Sequence, residues 1–262
     1  MVKYWYKCVK SRGKKMEYID YETAKKAKKG ILPIGVGTTA ECYKTKDGRT
    51  LKLYRNTSRR DYLFYLFKDM NKHLEEIANV SNFSYVGPNQ IVLKDGNCAG
   101  YTYQYRKACT LDSLDYNIKL DDLIKNYRII EDDTAKISQK GFCLNDLHSA
   151  NMLYNEYLYI IDLDMGTFSE DNPIEIFKNN MYQINETIIF GIFFLPSFYR
   201  IYFKDSDLQA LFTKCTKEDY KEISTLLKEI QTYKRKIETV GEARHYRKRL
   251  VKIDGDDYYR QF

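Results

Sequence analysis

One stretch of the chain, residues 138–166, restricts the fold more than any other. Asp146 and Asn151 lie five residues apart on a predicted loop, and Asp162 follows a short hairpin that ends in an apolar strand at residues 158–161. Carboxylate and carboxamide oxygens at the ends of short strands suit Mg²⁺, which usually shares its shell with nucleotide phosphates. A carboxylate that does not coordinate the metal can accept a proton from an attacking hydroxyl group. The stretch therefore predicts a reactive site in which a hard cation such as Mg²⁺ binds phosphate groups.

The first part of the chain has the pattern of a β-rich region with one helix. Residues 31–54 predict three short strands with a turn at Asp47-Gly48, and a second hairpin is predicted to turn at Asp95-Gly96. Asp-Gly pairs between alternating apolar residues favour tight hairpins. Between the hairpins, apolar residues at 3.6-residue spacing predict one helix over residues 59–80.

The second part of the chain is predicted to be mostly helical. One short strand pair interrupts the helices, at Met152–Tyr154 and Tyr157–Ile161. The predicted helices cover about residues 121–139, 181–203 and 216–238. A β-rich part followed by a helical part predicts an α+β protein with two lobes joined near residues 105–110.

Composition excludes several classes of protein. The 262 residues are 44% hydrophobic and 30% charged, which is typical of a globular chain and not of a disordered one. The six cysteines form no CxxC pair and have no histidine at zinc spacing, so we expect reduced thiols in a cytoplasmic protein. The most apolar stretch, residues 187–203, contains Gly191, Pro196 and Arg200 and is predicted to be a buried helix rather than a membrane span.

The net charge of +7 is carried by residues 1–30, which contain ten lysines and arginines and three acids. Such a segment can bind an anionic partner, although a solvated face of a strand or helix is the more ordinary explanation. The 25 tyrosines follow no repeat and form no stacking motif of the RNA-binding type, which argues against nucleic acid as the partner.

Four motifs, in order, resemble those of the protein kinase superfamily. Residues 144–151, LNDLHSAN, are similar to the catalytic-loop pattern HRDLxxxN, in the DLHxxN form of the small-molecule and atypical branches. Residues 161–164, IDLD, resemble the magnesium motif of those branches. Residues 34–42, IGVGTTAEC, resemble the glycine-rich loop, and residues 50–53, TLKL, the strand with the ATP lysine. The likeness covers about residues 30–200 and suggests an atypical, minimal bacterial or phage member.

The resemblance implies a bilobal protein kinase-like fold. Its parts would be a basic N-terminal extension at residues 1–30, a small β-rich N-lobe at 31–108 and a helical C-lobe at 109–262. ATP and Mg²⁺ are the implied cofactors.

The resemblance also implies how the N-lobe would bind ATP. Lys52 would hold the α- and β-phosphates, and a helix acid would fix its charge. Glu75 is the first choice for that acid, with Glu76 and Asp69 as alternatives. The implied nucleotide-binding residues are Gly35, Gly37, Thr38 and Thr39 over the phosphates and the backbone of Gln104, Tyr105 and Arg106 at the adenine.

In the C-lobe the resemblance implies a metal and a catalytic residue. Asn151 and Asp162 would bind Mg²⁺, with Asp164 as an additional ligand, and Asp146 would orient or deprotonate the acceptor hydroxyl. Catalysis of this kind depends mainly on positioning and charge neutralisation.

The departures from the family pattern bear on the substrate. Leu144 and Asn145 replace the usual His and Arg, so no arginine is there to bind a phosphorylated activation loop. Only 24 residues separate Asp162 from Glu186, the acid that precedes Gly191 in the next apolar helix as an Asp does in the family. This short spacing leaves little room for a peptide-positioning groove, which argues against a protein substrate. The chain also lacks the long insertion of aminoglycoside- and choline-type kinases, which argues against a small-molecule substrate.

Three functions remain open from the sequence. The first is a serine/threonine protein kinase, because Lys52, Asp146, Asn151 and Asp162 are all present. The second is a small-molecule kinase, favoured by His148 and the IDLD form. The third is a non-catalytic pseudokinase that serves as a binding module, suggested by the missing catalytic-loop His and the basic N-terminus.

Overall fold

The computed structural model describes residues 16–193, 199–217, 222–233 and 236–252. The chain divides into two compact units. The first contains Met1–Asn79 and Pro88–Gln104, and the second Val80–Gly87 and Tyr105–Phe262. The fold is of mixed α and β composition with a multi-stranded sheet, as predicted.

The first unit contains a six-stranded sheet in the order β1-β5-β6-β4-β3-β2. Strand β1 pairs in parallel with β5, and the other pairs are antiparallel. The strands are β1 (Glu17–Asp20), β2 (Gly35–Val36), β3 (Ala40–Lys44), β4 (Arg49–Tyr54), β5 (Gln90–Lys94) and β6 (Asn97–Gln104), and the helices are α1 (Tyr21–Ala27), α2 (Ser58–Leu66) and α3 (Met70–Val80).

Both predicted Asp-Gly hairpins are confirmed. Asp95 and Gly96 have φ angles of 51° and 78° and directly join Lys94 to its partner Asn97. Positive φ at both central residues defines the turn type that matches the twist of paired strands. Gly48 has a φ of 79° in the turn between β3 and β4.

The predicted single helix over residues 59–80 is wrong, because two helices cover this stretch. The chain leaves the helical conformation at Phe67, where φ is −108° and ψ is 88°. The carboxylate of Asp69 then accepts the N–H of Lys72 at 3.0 Å and caps the start of α3. The apolar spacing is nevertheless real, since Leu63 and Leu74 are both buried. The cap at Asp69 therefore divides the stretch into two helices, although their apolar residues keep the spacing of one helix face.

Residues 80–87 belong to the second unit, although the sequence suggests the first. The N–H of Ser84 donates to the buried carboxylate of Asp133 at 3.0 Å. The N–H of Val86 donates to the carbonyl of Ile160, and the N–H of Ile160 donates to the carbonyl of Ser84. These bonds to residues far along the chain attach the segment to the helical unit.

The second unit is mostly helical, with short strands around the candidate site. Its helices are α4 (Leu120–Ile124), α5 (Tyr127–Ser138), α6 (Pro173–Phe193), α7 (Ser206–Lys217), α8 (Ile223–Gln231) and α9 (Val240–His245). Its strands are β7 (Cys109–Thr110), β8 (Phe142–Cys143), β9 (Met152–Tyr154), β10 (Leu158–Ile160), β11 (Thr167–Phe168), β12 (Tyr199–Phe203) and β13 (Arg247–Lys252). The predicted pairing of β9 with β10 is confirmed.

Helix α6 corrects the helix predicted for residues 181–203. It begins at Pro173, where the side chain of Asn172 accepts the N–H of Ile174 at 2.9 Å. Proline in the first turn after an asparagine cap is a strong start signal. The last residues of the predicted helix instead form β12, which pairs with β13. Among the described residues, no helix combines the length and the apolar character needed to cross a lipid bilayer.

Candidate active site

Asp146 and Asn151 lie on one loop of the second unit and are joined by a hydrogen bond. The side-chain Nδ2 of Asn151 donates to the backbone carbonyl of Asp146 at 3.0 Å. The N–H of Asn151 donates to the carbonyl of His148, which closes a turn between them. Asn151 is buried, whereas Asp146 is exposed. This bond uses the side-chain nitrogen of Asn151, so the side-chain oxygen is the atom that can coordinate a cation.

Asp162 is brought to the same loop by the hairpin of β9 and β10. The N–H of Ile161 donates to the carbonyl of Asn151 at 2.9 Å, one residue before Asp162. Asp162 itself has φ of 64° and ψ of 48°. Left-handed backbone is uncommon outside glycine and clusters at functional sites. Asp146 and Asp162 line one small pocket of the second unit.

The donor set fits a magnesium ion that also binds phosphate. Asp162 and Asn151 offer a carboxylate and a carboxamide oxygen, and Mg²⁺ is usually held by one or two such groups together with substrate phosphates. Among the described residues, no group of three or more His, Cys, Asp or Glu side chains could hold a metal ion by itself. Asp164, the third predicted ligand, is 3% exposed in a single turn of 3₁₀ helix at Leu163–Met165.

Helix α6 holds the backbone just before Asp146 through neutral polar side chains. Asn180 accepts the N–H of Leu144 at 2.9 Å and donates to the carbonyl of Phe142 at 2.9 Å. Gln183 donates to the carbonyl of Leu144 at 2.7 Å. Residues three apart share one helix face, so both amides reach the same loop. Sequence reasoning missed them, because they are two of four carboxamides on this helix (Asn179, Asn180, Gln183 and Asn185) and no local pattern distinguishes them.

Glu186 is the acid that the sequence aligns with the family's helix Asp. Burial raises the pKa of its carboxyl group to about 7 from 4.5. The hydroxyl of Tyr182 donates to it at 3.4 Å, which partly offsets the effect of burial.

Lys52 is buried in the first unit, on strand β4. It is only 3% exposed, and its Nζ lies 5.5 Å and 5.4 Å from the ring centres of Tyr54 and Tyr101. Aromatic faces attract a cation at this distance. A buried ammonium is costly unless it is compensated, and the two rings contribute to that compensation.

The glycine-rich turn is held by one backbone and two side-chain hydrogen bonds. The N–H of Gly37 donates to the carbonyl of Ala40 at 2.8 Å and closes the turn between β2 and β3. The carbonyl of Gly37 accepts from Arg55, and that of Thr38 from Thr57, both at 3.2 Å. Because C=O and N–H point in opposite directions across a trans peptide, the amides that follow these carbonyls point away from Arg55 and Thr57. Successive amides of this kind can form an anion-binding concavity.

The three acids considered for Lys52 differ in their hydrogen bonds and ion pairs. The hydroxyl of Tyr18 donates to Glu75. Glu76 lies 3.8 Å from the Nζ of Lys72, one helical turn earlier, and Asp69 caps α3. Two of the candidates therefore have local roles within the helix, and the choice of Glu75 stays a prediction.

The predicted hinge residues lie where the two units meet along the chain. Gln104 ends β6 and the first unit, and Tyr105 begins the longer segment of the second unit. The guanidinium of Arg106 lies 4.7 Å from the ring centre of Tyr159 and 5.4 Å from that of Phe83, both in the second unit. The side chain of Arg106 thus anchors this end of the segment, while the predicted adenine contacts use only its backbone.

The basic N-terminal residues are described only in part, since residues 1–15 lie outside the described ranges. Lys25, Lys26, Lys28 and Lys29 line a pocket on α1 with Tyr43. Lys28 donates to the hydroxyl of Tyr43 at 3.1 Å and lies 3.8 Å from Glu41. Part of the positive charge is therefore compensated locally, and an anionic partner remains a prediction.

The candidate residues fall into two sets. Asp146, Asn151 and Asp162 are gathered in the second unit, whereas Lys52 and the glycine-rich turn lie in the first. Neither protein-family models nor curated proteins provide a match to this chain.

Proposed function

We propose that the protein is a Mg-ATP-dependent phosphotransferase with a bilobal protein kinase-like fold. The first unit would be its N-lobe and the second its C-lobe. One observation carries the proposal: the hydrogen bonds of Asn151 link the residues at positions 146 and 161, so that Asp146 and Asp162 line the same pocket. Two carboxylates from separate stretches of sequence line one pocket, with a carboxamide bonded to the backbone beside them, and such clusters are candidates for a chemical role.

The proposed roles follow from the chemistry of each side chain. Asp162 and Asn151 hold Mg²⁺, and Lys52 holds the α- and β-phosphates of ATP. The bound ion neutralises charge that develops on the transferred phosphoryl group. Asp146 orients the acceptor hydroxyl and accepts its proton, and its exposure leaves it accessible to an acceptor.

The first candidate acceptor is a serine or threonine hydroxyl of a protein. A second candidate, a small-molecule alcohol, is favoured by the length of the chain after Asp162. Helix α6 begins at Pro173, so the intervening segment is short, and part of it pairs with β8. A short, paired segment offers little surface for positioning a peptide, which is the argument for the small acceptor.

Transfer of labelled γ-phosphate from ATP tests the proposal. Wild-type protein is expected to label a protein acceptor, such as casein or myelin basic protein, or one of a panel of sugars, aminoglycosides and amino alcohols. Asp146→Asn should lower the rate by about 100-fold or more, because general-base and positioning effects of this size are typical. Asp132→Asn, which changes an exposed acid of α5, is the matched control.

The outcomes separate the remaining functions. Labelling of the small molecules alone identifies the second acceptor class. Mg-dependent ATP binding without labelling of any acceptor or of the protein itself would favour the pseudokinase. Equal labelling by wild type and Asp146→Asn would contradict the role of Asp146.

A further inference from the structure

Asn145 directly precedes Asp146, and its side chain reaches the segment that follows Asp162. The Nδ2 of Asn145 donates to the hydroxyl of Thr167 at 2.8 Å and to the carbonyl of Met165 at 3.3 Å. Both acceptors lie within five residues of Asp162 in the sequence. A carboxamide next to one acid is therefore bonded to the segment that carries the other.

Backbone contacts bring these two segments into range. Strand β8 pairs with β11 in a register that matches Cys143 with Thr167. The N–H of Ser169 donates to the carbonyl of Gly141 at 2.9 Å. The pairing ends at Cys143, and the bonds of Asn145 continue the connection two residues further toward the acids.

Gly166 shows how closely the segments pack. A Cβ added at this position would lie 2.3 Å from a ring carbon of Phe142, so only glycine fits without a shift. Leu163 accepts the N–H of Gly166 at 2.9 Å and turns the chain directly after Asp162. The loop that carries Asp162 is thus tightly folded, and Asn145 bonds to its far end.

We propose that Asn145 is a positioning residue that holds the loop of Asp162 in place relative to Asp146. This inference rests on the proposed function, which gives the two acids their roles. Because a carboxamide does not ionise, its hydrogen bonds to a hydroxyl and a carbonyl persist over a wide pH range. Misplacement of reacting groups by about 1 Å can cost about 100-fold in rate, so such a hold matters to catalysis.

Hydrogen exchange of the full-length protein tests the contact directly. In Asn145→Ala the amides of residues 163–169 should exchange about five-fold faster, as expected for the loss of a hydrogen bond that resists local opening. Thr167→Val removes one of the two acceptors and should give a smaller increase, whereas Thr167→Ser keeps the hydroxyl and should match wild type. Asn155→Ala is the control, because Asn155 makes a similar bond to the carbonyl of Lys107 on another loop.

Two results would overturn the contact. One is wild-type exchange of residues 163–169 in Asn145→Ala. The other is an equal rise in exchange throughout α6, which would make Asn145 a general stabilising residue instead of one that holds this loop.

Kinetics test the positioning role. Asn145→Ala should lower kcat by about ten-fold while the KM for ATP stays within about two-fold, since the loss concerns alignment and not binding. Unchanged kcat in Asn145→Ala would overturn the role even if exchange is faster. If wild type transfers no phosphoryl group, the proposed function fails, and the exchange rates still decide whether Asn145 holds the loop.

Discussion

At the scale of single residues, Glu186 on α6 links burial to stability. Its pKa is raised to about 7 from 4.5, chiefly by desolvation of the carboxylate. In the unfolded chain the group loses its proton near pH 4.5, whereas the folded protein keeps it until about pH 7. The folded state therefore binds more protons between these values, and its stability falls as pH rises through this window and then levels off.

Glu186→Gln tests this effect. The variant removes the ionisation, so it should abolish a fall in the free energy of unfolding of about 1–3 kcal/mol between pH 5 and pH 8. Urea denaturation at both pH values measures it, with the exposed Glu175→Gln of the same helix as control. A pH dependence in Glu186→Gln equal to that of wild type would show that Glu186 is not its source.

The residues that we propose for the chemistry stand out in the sequence, whereas the residues that hold their loop do not. Asp146, Asn151 and Asp162 stand out by type and spacing, because the proposed reaction needs particular atoms. Asn180 and Gln183 of α6 act through bonds to a loop nearly 40 residues earlier. Many side chains could serve that purpose, so no local pattern marks them.

At the scale of secondary structure, Arg244 of α9 secures the end of α6. Its guanidinium donates to the carbonyls of Gly191, Ile192 and Leu114 at 2.9–3.2 Å, and the residue is 8% exposed. Desolvation lowers the pKa of Arg244, which means that its burial opposes the charged form. Carbonyls at a helix C-terminus lack helical partners and carry partial negative charge, so a cation is favourable there.

Arg244→Lys should destabilise the protein by about 2–4 kcal/mol, because one ammonium cannot reproduce the planar fork that reaches three carbonyls. The free energy of unfolding in urea measures this. Arg128→Lys, at an exposed position of α5, serves as the control and should lie within about 0.5 kcal/mol of wild type. A Lys variant as stable as the control would show that one or two of these hydrogen bonds do not contribute to the free energy of unfolding.

Elements were predictable where local chemistry decides them. The turn at Asp95-Gly96 needs positive φ angles that these residues adopt readily, and the hairpin formed as expected. The prediction of one helix over residues 59–80 was wrong because the apolar spacing continues across the break at Phe67 and Asp69. Periodicity reports which face is buried, and it does not report whether the helix is continuous.

At the scale of the whole molecule, the division of the chain depends on contacts that no local pattern contains. Residues 80–87 follow α3 without a composition change, yet Ser84 and Val86 bond to Asp133 and Ile160. The change from β-rich to helical sequence near residue 105 was visible, because the hydrophobic period changes there. An excursion of eight residues into the other unit is too short to change that period.

The proposed function requires both Lys52 and Asp162 for the binding of Mg-ATP. The most direct measurement is the thermal midpoint of each variant with and without Mg-ATP. At about 100 times the dissociation constant, binding should stabilise wild type by about 2.7 kcal/mol and raise the midpoint by about 5 °C or more. Asp132→Asn should keep this shift, whereas Lys52→Met and Asp162→Asn should each lose most of it. A shift of full size in both of the latter variants, or none in wild type, would contradict the account.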